Sequence, residues 1–189
     1  MKTQSSGLRR TAGVFLLAAI LCLSACGAPA EQAEADARQP EAEQPAGEHA
    51  LPGSWTVPEG WVKAEQYSTE NKIFYVEEGH EEDELPDNIS IEVGTNRYGG
   101  EDHMKFRDAI VRQLTVQAGS VGAEVTGEGT FTAQEDVLYI FTISEAEAVT
   151  KQFYIVGDQR HCLVHLTSFT GSDSAEEAAR AIADSFAWA

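Results

Sequence analysis

A compositional break near residue 51 decides which part of this 189-residue chain can fold at all. From Gly27 to Pro52 the sequence reads GAPAEQAEADARQPEAEQPAGEHALP, rich in Ala, Glu, Gln and Pro and nearly bare of large apolar side chains. Such a stretch buries too little surface to offset the entropy of ordering it, so 26–50 is expected to be a disordered acidic tether. Its reach is on the order of 5–6 Å times the square root of its length, and more where its acids repel one another. What remains, 51–189, has the size of one domain with a single core that needs no disulfide.

Charge narrows the function classes. Asp and Glu number 31 against 13 Lys and Arg, a net charge of −18. Lys2, Arg9 and Arg10 lie in an opening stretch that holds no acid, so the remainder is more acidic still. A surface of that sign repels nucleic acid and anionic headgroups, which argues against a nucleic-acid partner and favours solubility and basic or cationic partners.

Residues 1–25 carry a basic start, an apolar stretch from Ala12 or Val14 through Leu23, and small residues before a cysteine. That is the layout of a secretory signal, too short and wrongly flanked for a permanent membrane-spanning helix. Its end, Leu23-Ser24-Ala25-Cys26-Gly27, resembles the lipobox of bacterial lipoproteins. The resemblance implies cleavage before Cys26 and a diacylglyceryl group on its sulfur. The expected address is therefore the extracytoplasmic side of a cell membrane, at the cell surface or in the periplasm, with the acyl chains as anchor. Cys22 leaves with the leader and Cys162 stands alone in the apolar run HCLVHL, so no intramolecular disulfide forms in the mature chain. A lone thiol in such a run reads as a small buried hydrophobe.

Within 51–189, Pro58-Glu59-Gly60 marks a turn after a short extended piece, and 61–68 and 72–78 read as strands. The run 79–84 is a loop. Ile89, Ile91 and Val93 alternate with polar neighbours in a half-buried strand over 88–96. Asp102 opens a helix over 103–118 that faces inward with Phe106, Ile110 and Leu114, flanked by Ala109 and Val111, and Gly119 ends it. Runs at 124–133, 137–144, 149–156 and 161–169 then form an antiparallel meander, with Gly127 and Gly129 suggesting a bulge or turn. Ser174 and Glu177 make a capping box for a last, Ala-rich helix to Phe186. The order implies an α+β fold, mainly antiparallel sheet packed with two helices.

The succession Pro58-x-Gly60-Trp61, Ile73-Phe74-Tyr75, Asn88-Ile89-Ser90-Ile91, a helix, an aromatic meander closing in Tyr154-Ile155-Val156-Gly157, and a helix closing in Ser185-Phe186 resembles the PsbP-like superfamily, DcrB-like lipoproteins included. The resemblance spans nearly all of 51–189. It implies an αβα sandwich and a binding or assembly role, and it carries over no catalytic residue.

Candidate chemistry is thin. The acidic run Glu77-Glu78-Gly79-His80-Glu81-Glu82-Asp83-Glu84 offers hard oxygens to a divalent cation but lacks the fixed spacing of an EF-hand loop. His161 and His165 share one face of a strand roughly 13 Å apart, too far to hold one zinc unless His80, His103 or a carboxylate joins them. No nucleophile elbow, HExxH, Ser-x-x-Lys or phosphate loop is present in the sequence. Trp55, Trp61, Tyr67, Tyr98 and Trp188 sit near segment ends, where aromatic rings often anchor partners, although Trp61 and Phe186 read as core. The expectation is thus a membrane-anchored extracytoplasmic lipoprotein with a non-enzymatic binding or assembly domain for a protein or small-ligand partner. No cofactor, metal or catalytic residue is assigned, and Cys26 is the one modification site. The rivals are an extracytoplasmic divalent-cation binder and a hydrolase with a non-standard site.

Overall fold

Period-two alternation of β-branched and aromatic residues builds most of the domain, and the structure, a computed structural model, describes residues 51–189 of it. The elements run β1 (Gly53–Ser54), β2 (Trp61–Lys63), β3 (Lys72–Glu77), β4 (Asn88–Thr95), α1 (His103–Val121), β5 (Glu124–Phe131), β6 (Val137–Ser144), β7 (Val149–Gly157), β8 (Arg160–Ser168), α2 (Asp173–Ser185) and β9 (Ala187–Trp188). Seven strands form one antiparallel sheet in the order β2-β3-β4-β8-β7-β6-β5, while β1 pairs with β9. The α+β class and the mainly antiparallel sheet with two helices are as the sequence implies.

Each face of the sheet packs its own helix. Toward α2 point Ile89 and Ile91 of β4, Leu138 of β6, Ile155 of β7, and Cys162, Val164 and Leu166 of β8. They meet the stripe Ala175, Ala178, Ala179, Ile182 and Ala183, whose small side chains let α2 lie close on the sheet, and Phe186 closes the end. Toward α1 point Tyr139, Phe141, Tyr154, Val156 and Leu163, which pack against Phe106, Ile110, Leu114 and Ala118. The i, i+4 spacing of those four puts them on one side of the helix.

Several local expectations change. Strand 61–68 stops at Lys63, because the Ser68 hydroxyl donates to the Ala64 carbonyl and accepts from the Phe74 amide, folding the chain into a turn. Helix α1 passes through Gly119 and ends at Gly122, which takes the left-handed conformation (φ 73°) that glycine adopts without strain. Val111 is turned out to solvent, 39% exposed. The cap of α2 is Ser172 rather than Ser174, and no side-chain hydrogen bond closes it; the two hydroxyls bond each other at 2.7 Å. Gly127 and Gly129 make neither bulge nor turn, since β5 pairs with β6 without interruption. A Cβ on Gly127 would lie 2.6 Å from the Phe141 ring, so the glycine makes room for an aromatic that leans over from β6.

Phe106 joins α1 to the sheet, edge-on to Tyr98 and Tyr154 and tilted against His161. Phe106→Ala is expected to cost about 3–5 kcal/mol. Urea unfolding checks this, and a loss below 1 kcal/mol would mean that α1 is held elsewhere.

Candidate functional site

The two helices are offset across the sheet. α1 packs on β5 and β6, and α2 on β8, β7 and β4. On the α2 face this leaves an open groove of about 380 Å³ beside the outer strand β5. Ile140 and Phe153 floor it, Thr126 and Glu128 of β5 form one wall, and Glu176 and Arg180 of α2 form the other. Its cations are already matched. Lys151 pairs with the Glu176 carboxylate, and Arg180 Nε donates to Asp184 Oδ2 at 2.8 Å along one helix face. The groove thus offers shape, carboxylates and a strand edge.

On the α1 face, β3, β4 and β8 carry a polar strip. Register places Lys72 beside Glu92 and Ser90 beside His165. Lys72 Nζ lies 3.3 Å from Glu92 Oε2 and 5.3 Å from the centre of the Phe74 ring. Burial first, and the Lys72 ammonium second, push the His165 imidazole down to about 4, so the ring is neutral at physiological pH. Ser90 is only 2% exposed, which closes its hydroxyl to any substrate carbonyl.

His161 does share the α1 face with His165, as alternation implies, but its neighbours are Phe106 and Tyr154. Burial holds its pKa below the ordinary value, against the opposing pull of Glu92, and its Nδ1 has no partner. The Cys162 thiol, fully buried on the other face, is pushed up by burial and stays protonated. Neither of the outlying histidines joins this pair: His103 Nδ1 is 2.7 Å from the Tyr139 hydroxyl, and His80 Nδ1 is 2.7 Å from Asp83 Oδ2. That second bond, and then the Asp83 charge, raise the His80 pKa. Among the described residues no group of three or more His, Cys, Asp or Glu is placed to hold a metal ion.

The tryptophans offered as partner anchors close a corner of the core instead. Trp55 Nε1 donates to the Tyr75 hydroxyl at 3.1 Å and its ring stacks on Phe186. Trp188 meets Phe186 edge-on, with the Arg160 guanidinium 4.3 Å from its ring. Of the aromatics named from sequence, Tyr67 is the one left largely exposed, at 54%. The lipidation site Cys26, the leader and the tether lie outside the described residues.

Sequence reasoning missed Asp87. Its carboxylate accepts from the Ser168 and Thr170 hydroxyls at 2.8 and 2.6 Å and from the Phe169 and Thr170 amides at 2.7 and 3.1 Å. The bonds tie the start of β4 to the turn between β8 and α2. Burial alone would raise this carboxyl, but the two hydroxyls and two amides outweigh it and hold it below its ordinary pKa. The Pro86-Asp87 step before an alternating strand was the available signal, and it does not reveal partners some 80 residues away.

Two groups with lowered folded pKa values give pH dependences of the same sign in separate windows. An unfolded imidazole takes its proton near pH 6.5 and folded His165 only near 4, so the unfolded chain binds the extra proton between those values. Stability from the neutral ring is present above pH 6.5 and declines as pH falls toward 4. His165→Gln is expected to flatten the stability curve in that window, leaving the part due to His161. Asp87, with a lowered folded pKa, contributes above the ordinary carboxylate range and loses its contribution as pH falls through it. Asp87→Asn is expected to cost about 2–3 kcal/mol at pH 7 and little at pH 2. Urea midpoints from pH 2 to 8 check both, and an unchanged slope in His165→Gln would refute the first.

No protein-family model matches the chain, and no curated protein sequence matches it. Among solved structures, the chain is similar to the solution structure of the cyanobacterial PsbP protein CyanoP from Synechocystis sp. PCC 6803. The identity is 13% and the TM-score 0.51, over 73% of this chain and 87% of that one. A crystal structure from Bacteroides thetaiotaomicron aligns at 12% identity and a TM-score of 0.40, over 75% of this chain and 47% of that one. With its seven-stranded sheet between two helices, the described domain has a PsbP-like fold.

Proposed function

We propose that this chain is an extracytoplasmic lipoprotein, anchored through acyl chains on Cys26, whose PsbP-like domain binds a partner rather than catalysing a reaction. The observation that carries the reading is the Leu23-Ser24-Ala25-Cys26 lipobox, set at the end of a basic and apolar leader and followed by an acidic tether. A lipid anchor, a spacer and a folded domain make sense together when the domain's task is to present a surface at a distance from the bilayer. The domain fits that task. Its groups pushed furthest from ordinary titration, Tyr154, Cys162 and His165, are shifted chiefly by burial. Its open groove is walled by matched ion pairs and a strand edge, which suit recognition more than bond making.

The test is intact mass spectrometry of the membrane fraction for wild type and Cys26→Ala. Wild type is expected as a chain beginning at Cys26 with a diacylglyceryl or triacyl increment, and the mutant without it. A soluble, unmodified wild-type chain would overturn the anchored reading.

A further inference from the structure

We propose that the outer edge of β5 is a docking site for an extended basic segment of a partner protein, which joins the seven-stranded sheet as an added strand. The proposal rests on the reading of this domain as a binding module and names the class of segment it binds.

The two edges of the sheet are unlike. At one end β2 is three residues long and carries Lys63, and shortness and charge are ways in which natural edges avoid unwanted pairing. At the other end β5 has eight residues, six of them exposed, with no proline, lysine or arginine. It pairs with β6 in unbroken register from Glu124↔Ser144 to Phe131↔Val137, so no bulge twists it away. Among the described residues no strand pairs with its outer side. Alternate residues there present main-chain N–H and C=O groups outward, which supply affinity for an added strand whatever its sequence.

Side chains supply the selectivity. Glu124, Thr126, Glu128 and Thr130 alternate onto the α2 face, and Thr126 and Glu128 are the groove wall itself. Glu124 and Glu128 enter no ion pair among the described residues, while the groove's Lys151 and Arg180 are engaged by Glu176 and Asp184. On the α1 face β5 presents Val125 and Phe131, the latter 63% exposed. Arg107, over the Tyr139 ring beside β5, is paired with Asp108. A complementary strand therefore alternates lysine or arginine, facing Glu124 and Glu128, with aliphatic or aromatic residues on the opposite side. Like charge disfavours the other two occupants. A second β5 would bring glutamates to glutamates, and the 26–50 segment is itself acidic.

The test uses the full chain, purified as its host makes it in non-ionic detergent, and three ten-residue capped peptides. One alternates lysine with valine or phenylalanine; one is the same peptide N-methylated at its four central residues; one has glutamate for lysine. Amide hydrogen exchange is followed over Glu124–Phe131. The basic peptide is expected to slow exchange there by about ten-fold or more, and the other two to leave it unchanged. Glu128→Lys, a substitution on an exposed strand edge, is expected to weaken basic-peptide binding about five-fold. Equal protection by the N-methylated peptide would reduce the effect to charge alone and overturn the proposal, as would protection confined to other segments or none. Protection of β5 in the peptide-free chain that grows with protein concentration would assign the edge to a second copy instead. The mass of the same preparation reads the Cys26 anchor independently, so failure of the edge and failure of the anchored reading are told apart.

Discussion

Strand β8 is desolvated on both faces, and the arrangement of the domain follows from that. It lies between β4 and β7, hydrogen-bonded to both along nearly its whole length. Its odd-numbered residues His161 and Leu163 need a cover on one side, and Cys162, Val164 and Leu166 need one on the other. One helix cannot serve both faces. α1 is inserted between β4 and β5 to close the first, and α2 follows β8 to close the second. Asp87 then fixes the turn by which the chain leaves β8 for α2, so the position of the second cover depends on a buried carboxylate with four donors.

The same double burial sets the chemistry of the centre. A charged imidazole or thiolate there would forfeit its hydration with little in return, so His161 and His165 rest neutral and Cys162 rests as a thiol. Lys72 and Glu92 face each other there, 3.3 Å apart.

Legibility in the sequence tracked the range of the interaction. The alternation Ile89, Ile91 and the runs 137–144, 149–156 and 161–169 named their strands because period two is a local property. Phe106, Ile110 and Leu114 named the inner face of α1 for the same reason, with period 3.6. Boundaries were lost where a local pattern offers two answers: Ser68 bends the chain after Lys63, and Gly122 rather than Gly119 takes the left-handed conformation. The glycines of β5 read as a break because their cause, the Phe141 and Tyr139 rings crossing from β6, is a cross-strand contact. Trp55 and Trp188 read as surface because their partners, Tyr75, Phe186 and Arg160, come from distant parts of the chain. The groove was illegible for the same reason, since β5, β6, β7 and α2 meet there from separate stretches.

Perturbed titration marks a functional site when it coincides with access. In this domain the largest shifts lie on the buried strands, away from the groove. Desolvation acts on the inner strands, where Tyr154 and Cys162 are sealed by the two helices, whereas the solvent-facing groove and the β5 edge present matched ion pairs, unmatched carboxylates and bare main chain. A surface of that kind suits the proposed recognition, by strand geometry and charge pattern. It also tolerates drift in sequence, because main-chain hydrogen bonds do not depend on which side chains carry them. Packing constraints of this kind are compatible with a shared fold at 13% identity over most of two chains, and they leave what each surface binds open.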